Sequence, residues 1–334
     1  MCIIVYKQRV KELQELNIKG LVEKIKNGYR IKEKSEGALL VGAPLEELQA
    51  GALELQEHFC GNHVDLCTIL NARSGRCGEN CKYCAQAACH KTGIDEYGFL
   101  PKDEILANAK ANQEAGANRF ALVTSGRGLV GKDFEMALEA YEEMHQTLTI
   151  DLCASHGIIS QEQFRRLREA GVKRYHHNIE TSRRFYPEIC TSHTFEDRIN
   201  TIKAAQAEGL EVCSGGIIGM GESWDDRIDM AICLQELGIQ SIPINVLMAI
   251  PGTGLEGMET LPPDDIYRTL AIFRFINPTA NVRLAAGRKA LPDNGASAFR
   301  SGASASITGN MLTTSGTTIK EDMGILKKLG MTNH

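Results

Sequence analysis

Apolar residues recur at helical spacing over residues 8–27 (QRVKELQELNIKGLVEKIKN) and 44–58 (PLEELQAGALELQEH), and Pro44 suits the start of the second helix. Beyond them the pattern changes, and short apolar runs alternate with amphipathic segments to the end of the chain. The runs at 64–70, 118–124, 149–155, 172–179, 210–218, 240–248, 281–286 and 303–308 predict strands. The segments near 102–115, 133–147, 160–170, 194–208, 223–237, 263–275, 293–301 and 319–329 predict helices. Four of these helices close on a glycine followed at once by an apolar run: Gly116, Gly171, Gly209 and Gly238. Glycine stops a helix in the left-handed conformation and lets the chain turn into a strand. Eight such β–α units over about 270 residues have the count and size of a TIM (β/α)8 barrel, with a doubly wound open sheet as the competing α/β arrangement. No Pro/Gly/Ser-rich linker divides the chain. The expectation is an N-terminal helical cap over 1–60 and one compact barrel over 61–334. The Gly-, Ala-, Ser- and Thr-rich stretch 288–318 falls where the last strand and its ligand-facing loop belong.

Composition narrows the function. The 334 residues are 43% hydrophobic and 24% charged with a net charge of −5, and basic clusters are absent, which argues against nucleic-acid binding. No apolar run approaches the ~20 residues a membrane span needs. The start, MCIIVYKQRVKELQEL, turns charged at once and lacks a signal peptide's apolar core, so a cytoplasmic location is expected. Eleven cysteines, an odd number without the spacing of a small secreted scaffold, point to reduced thiols and to metal or redox chemistry.

Residues 75–86 (GRCGENCKYCAQ) concentrate that chemistry. Cys77, Cys81 and Cys84 form a C-x3-C-x2-C array with Tyr83 directly before the last thiol. Closed zinc sites and iron–sulfur clusters normally use four protein ligands, so three cysteines leave one iron open. The array resembles that of the radical S-adenosylmethionine (SAM) superfamily, in which the amino and carboxylate groups of SAM occupy the open iron. A zinc site, or a ferredoxin-like cluster completed by a fourth cysteine such as Cys89, stays open at this point. The array follows the first strand, on the face where barrel enzymes keep their active sites.

A second set is dispersed. Cys67, Cys153, Cys213 and Arg283 fall on the first, third, fifth and seventh strands, and barrel interiors are filled in layers drawn from alternate strands. A buried cysteine often serves only as a small hydrophobe. Three on alternate strands, with an arginine completing the ring, predict a second iron–sulfur cluster, whose thiolates would be the anionic partner a buried arginine needs.

The segments HFCGNHVDLCTILNARSGRCGENCKYCAQ, RYHHNIETSRRFYPEICTSHTFEDRINTI, VCSGGIIGMGES, SIPINVLMAIPGTGL and NVRLAAGR together resemble the biotin synthase family over about residues 40–329. That resemblance implies a radical SAM sulfurtransferase that converts dethiobiotin to biotin, with sulfur drawn from an auxiliary cluster deep in the barrel. It assigns Cys77, Cys81 and Cys84 to a [4Fe–4S] cluster that binds SAM. It places Tyr83, Asn178, Glu180, Gly216, Ile217 and Met248 at SAM, with Gly215 on the same strand. His176, Asn178 and Asn245 fall at dethiobiotin, and Cys153, Cys213 and Arg283 at the auxiliary cluster. Glu180 stands where the family has aspartate, and His176 where it has asparagine. The best-known members also carry a cysteine after Arg-Phe on the second strand, where this chain has Ala121, and a small hydroxyl residue where it has Cys67. Against that pattern, one ligand has moved from the second strand to the first. These changes resemble the subgroup from anaerobes, implying a four-iron auxiliary cluster with an extra sulfide rather than [2Fe–2S]. The resemblance further implies an external one-electron donor such as flavodoxin or ferredoxin, and a homodimer. The alternatives are another radical SAM enzyme, a maturase or mutase of the hydrogenase- or pyrrolysine-pathway kind, and a non-enzymatic electron carrier. Cys2, Cys190 and Cys233 are read as structural or surface thiols, and Cys60 and Cys89 are left open for a cluster role. Gly219-x-Gly221 lacks the third glycine of a dinucleotide fingerprint.

Overall fold

The computed structural model describes residues 17–312 and 316–333; Cys2 and residues 8–16 of the first expected helix lie outside them. Eight barrel strands alternate with helices. The strands are β1 (Asp65–Arg73), β2 (Arg119–Thr124), β3 (Asp151–Ser155), β4 (Val172–His176), the two pieces β5 (Glu211–Cys213) and β6 (Gly216–Ile218), β7 (Ser241–Val246), β8 (Asn281–Leu284) and β9 (Ala305–Ile307). All pairings between them are parallel, and the ring closes because β1 pairs with β9 while β7 pairs with both β5 and β6.

Ahead of the barrel come α1 (Ile18–Lys26), α2 (Lys34–Val41) and α3 (Leu45–Cys60). Around it run α4 (Lys102–Glu114), α5 (Gly131–Thr147), α6 (Gln161–Glu169), the single turn α7 (Tyr186–Ile189), α8 (Phe195–Ala207), α9 (Trp224–Glu236), α10 (Pro263–Ile276), α11 (Ala296–Arg300) and α12 (Ile319–Leu329). Reciprocal capping boxes start four of them: Ser160 with Gln163, Thr194 with Asp197, Ser223 with Asp226 and Thr318 with Glu321. Gly116, Gly171, Gly209 and Gly238 all have positive φ just past their helices, as the sequence pattern anticipates. Helix α3 buries Leu48, Ala52 and Leu55 completely and packs on α1 and α10. Among the described residues no helix is long and apolar enough to cross a membrane.

Three features depart from expectation. Helices α2 and α7 are not signalled by the apolar spacing. The expected strand 210–218 is broken at Ser214 and Gly215. The reason lies in its neighbour: Pro243, in the middle of β7, has no N–H to offer the ladder. Pairing therefore jumps from Cys213–Ser241 to Gly216–Ile244. In the gap the strand bonds instead to the segment after β4, with Glu180 N–H donating to Gly215 O (3.0 Å) and Ile217 N–H donating to Glu180 O (2.9 Å).

Candidate active site

A cavity of about 420 Å³ opens at the C-terminal ends of the strands and runs down into the barrel. Its upper wall is the loop after β1, where Cys77, Cys81, Tyr83 and Cys84 all face the space. This loop has little regular structure of its own and is clamped by residues 189–193. Lys82 N–H donates to Ile189 O (2.9 Å), and Asn80 Oδ1 accepts from the backbone N–H groups of Thr191 and Ser192 (3.0 Å each). Ser192 Oγ in turn donates to Glu79 (2.6 Å).

On the opposite wall the broken strand meets residues 178–180. Asn178 Oδ1 accepts from Gly215 N–H (3.0 Å), and its amide reaches Glu180 (3.4 Å). Glu180 has φ 70°, a left-handed conformation uncommon for a residue other than glycine, and its carboxylate lines the cavity. A Cβ on Gly215 would sit 1.9 Å from Pro243 O, and one on Gly216 would sit 2.2 Å from Glu180 O, so only glycine allows this approach. Arg198 ties the walls together. It donates to Tyr186 Oη (2.7 Å), Asn178 O (3.1 Å) and His193 Nε2 (2.9 Å), and lies 3.7 Å from a Glu180 oxygen. His193 Nε2 accepts from this guanidinium, so Nδ1 carries the ring proton and donates to Glu79 (2.5 Å).

The floor is charged. Cys67, Cys153, Cys213 and Arg283 all face the same cavity, together with Arg119 and Arg174. Cys67 and Cys153 are within hydrogen-bonding reach, and that contact holds the Cys67 thiol up and the Cys153 thiol down. Burial opposes ionisation of Cys213, but His176, Arg283 and Arg174 bring its thiol down to about 6. Asp65 sits at the centre, 2.8 Å from Arg283, 3.0 Å from Arg119 and 3.3 Å from Arg174. Burial would raise its carboxyl; the three guanidiniums hold it well below the usual carboxylate range. Arg283 also donates to the carbonyls of Asp65 and Ser306 (2.9 Å each). Asp65 is thus an anionic partner of Arg283 that the sequence reading did not include, and it stands beside Cys67 and Cys213.

Of the residues singled out in the sequence, the three loop cysteines, Tyr83, Asn178, Glu180, Ile217, Met248, His176, Asn245, Cys67, Cys153, Cys213 and Arg283 all line this one cavity. Gly216 shapes the wall through its backbone contact with Glu180. His176 pairs across the sheet with Cys213 and hydrogen-bonds its thiol, which turns it toward the floor as well as the cavity. Cys60 ends α3 beside the buried Arg274, away from the cavity, and Cys89 is exposed. Cys190 is no surface thiol; it is buried against Cys81 (Sγ–Sγ 3.7 Å). Sequence reasoning missed Asp65, Arg174 and Arg198. The first two were within reach, since Asp65 precedes Cys67 by two residues and Arg174 precedes His176 by two, the same-face spacing of a strand.

Residues 72–234 match the radical SAM superfamily, and residues 243–332 match the Biotin and Thiamin Synthesis associated domain. A biotin synthase of Alkaliphilus metalliredigens is 52% identical over 315 residues, spanning 94% of this chain and 99% of the relative. One of Clostridium beijerinckii is 53% identical over 310 residues, spanning 93% and 98%. The chain belongs to the biotin synthase family. As a radical SAM enzyme it takes a [4Fe–4S] cluster and SAM as cofactors. Among solved structures, methylornithine synthase superposes with a TM-score of 0.81 at 19% identity, covering 94% of this chain and 97% of that one. HydG, a maturase of the [FeFe]-hydrogenase, superposes at 0.78 and 18%, covering 97% and 77%. These likenesses are of fold alone, and sequence kinship sets biotin synthases apart from both.

Proposed function

We propose that this enzyme inserts sulfur into dethiobiotin to give biotin, with the loop cysteines and the strand cysteines serving different parts of the reaction. One observation carries the reading: a single cavity has three thiols in its upper loop and three more on its floor, beside Arg283. Cys77, Cys81 and Cys84 would hold the [4Fe–4S] cluster, with Tyr83, Asn178, Glu180, Ile217 and Met248 around SAM. Dethiobiotin would lie between the two sets, against Asn178, Asn245 and His176. Cys67, Cys153 and Cys213 would hold the auxiliary cluster.

The floor suits an anionic, thiolate-ligated group. Three guanidiniums face the thiols, and Arg119 Nη1, although 3.0 Å from an Asp151 oxygen, is not aligned for a hydrogen bond and has no other partner. Arg283 is engaged by Asp65 and two carbonyls, which favours a role in balancing charge over one as a ligand. The resemblance to the subgroup from anaerobes, carried by Cys67 in place of a second-strand cysteine, supports four irons over [2Fe–2S]. When bound, the two clusters and SAM supply the radical and the sulfur. The protein's own part is to orient and to enclose. The left-handed Glu180 aims its carboxylate into the cavity, where it can accept from ribose hydroxyls. The Gly215–Gly216 backbone allows close approach, and the deep barrel keeps water from a reactive intermediate. The family further supports a flavodoxin or ferredoxin as electron donor, a homodimer and a cytoplasmic location. The domain division proposed is a cap over 1–60 on a barrel over 61–334.

The test is anaerobic reconstitution with iron and sulfide, followed by turnover with SAM, dethiobiotin and a reductant. The expected products are biotin, methionine and 5′-deoxyadenosine. Formation of 5′-deoxyadenosine without biotin would retain the radical SAM assignment and refute the substrate.

A further inference from the structure

Cys190 belongs to neither cysteine set, yet its sulfur touches that of Cys81 at 3.7 Å, across 109 residues of sequence. The contact is built. Asn80 clamps residues 191 and 192, and the hydrogen bond from Lys82 N–H to Ile189 O fixes the two backbones next to both thiols. Polar groups surround Cys190: His193 Nδ1 at 3.3 Å, and Ser192 Oγ and Asn80 Oδ1 at 3.6 Å each. Cys190 also packs in the apolar core, so it is these polar contacts that set it apart from a cysteine that only fills space. Cys81 lines the cavity and Cys190 lies behind it, so a small oxidant entering from the mouth reaches Cys81 first.

We propose that Cys190 is a resolving thiol for Cys81, so that oxidative loss of the upper cluster ends in a reversible Cys81–Cys190 disulfide rather than in irreversible oxidation of a ligand. With hydrogen peroxide as oxidant, Cys81 attacks one peroxide oxygen, the O–O bond breaks, and Cys81 becomes a sulfenic acid. Cys190 then attacks that sulfur, the S–O bond breaks, and the oxygen leaves as water. Overall two thiols and one hydrogen peroxide give one disulfide and two waters, with two electrons passing from sulfur to peroxide. A dithiol reductant reverses the disulfide by exchange, itself closing to a cyclic disulfide. Without a resolving partner the sulfenic acid can proceed to sulfinic acid, which reductants do not restore. The two sulfurs are already 3.7 Å apart, so bond formation has only a short gap to close.

The proposal rests on Cys81 being a cluster ligand, a reading tested separately by the iron content of a Cys81→Ala variant before any oxidant is added. For the proposal itself, anaerobically prepared full-length holoenzyme is exposed to hydrogen peroxide with a chelator to scavenge released iron, then alkylated and mapped by mass spectrometry. The expected major product of Cys81 is a crosslink to Cys190, and dithiothreitol followed by reconstitution restores the iron. In Cys190→Ser, iron loading before peroxide equals the parent's. After peroxide, Cys81 is recovered as sulfinic acid and the iron is not regained. A map in which Cys81 pairs mainly with Cys77 or Cys84, or is overoxidised in the parent, overturns the proposal. So does a Cys190→Ser enzyme that recovers as well as the parent. The crosslink map of the parent decides the matter even if the variant folds poorly.

Discussion

The upper and lower cysteine sets of this barrel each bring three thiols to one cavity, by opposite means. Cys77, Cys81 and Cys84 lie within eight residues on one irregular loop, held from outside by the 189–193 segment. Cys67, Cys153 and Cys213 come from three strands, and their positions are set by sheet register and by a buried ion cluster centred on Asp65. The upper set depends on local chain geometry; the lower depends on the whole barrel and its charges. Damage to the two should differ in kind.

The largest effect separates them by product. Cys84→Ala should reduce both 5′-deoxyadenosine and biotin to background in an anaerobic assay, because two remaining thiolates would not retain the cluster on which SAM cleavage depends. Continued SAM cleavage by this variant would collapse the distinction between the sets.

Removing the ion cluster's centre comes next. Asp65→Asn leaves Arg283, Arg119 and Arg174 without their shared buried carboxylate. Breaking such a pair costs about 3–5 kcal/mol, which should appear as a lower denaturation midpoint in metal-free protein. Glu79→Gln in the upper region removes one charged hydrogen-bond acceptor, and the expected loss is about 2 kcal/mol. Equal losses would show that the floor is no more dependent on charge than the loop.

Backbone contacts should sharpen the contrast further. Gly216→Ala drives a Cβ against Glu180 O and moves the wall assigned to SAM, leaving the floor cysteines in place. Overpacking of this kind costs about 1–3 kcal/mol, and SAM affinity, measured by equilibrium binding, should weaken by about tenfold or more. Auxiliary iron content should not change.

A further effect is on pH. His156, just past the end of β3, is buried between Thr124 Oγ1 (3.0 Å) and Tyr141 Oη (2.9 Å), and burial holds it down to about 3. Its folded pKa lies below the unfolded value near 6.5, so the unfolded chain binds the proton first. The stability it contributes is complete above pH 6.5 and declines as the pH falls toward 3. The slope is about 1.4 kcal/mol per pH unit. His156→Gln should show a shallower decline between pH 6.5 and 5 in denaturant titrations, and an unchanged slope would contradict the assignment.

This difference between the sets also governs what could be read from sequence. The upper array is contiguous, so spacing alone displays it. The strands, helices and glycine stops were legible because the alternation of apolar runs repeats eight times. The lower cysteines could be placed on one layer only once a barrel was assumed. Asp65 escapes such a reading, because it looks like an ordinary strand-end residue until three strands bring arginines to it. The break in the fifth strand depends on Pro243, a neighbour in space and not in sequence. Cys190 reads from sequence as a structural or surface thiol, because nothing in its local context reveals the thiol of Cys81 against it.

The central claim is that the lower set supplies the sulfur while the upper set starts the reaction. Its most direct test is to quantify biotin and 5′-deoxyadenosine in the same anaerobic reaction of Cys67→Ala with SAM, dethiobiotin and reductant. 5′-Deoxyadenosine should still form, biotin should be absent, and iron should fall by the share belonging to the auxiliary cluster. Normal biotin with a full complement of iron would contradict it.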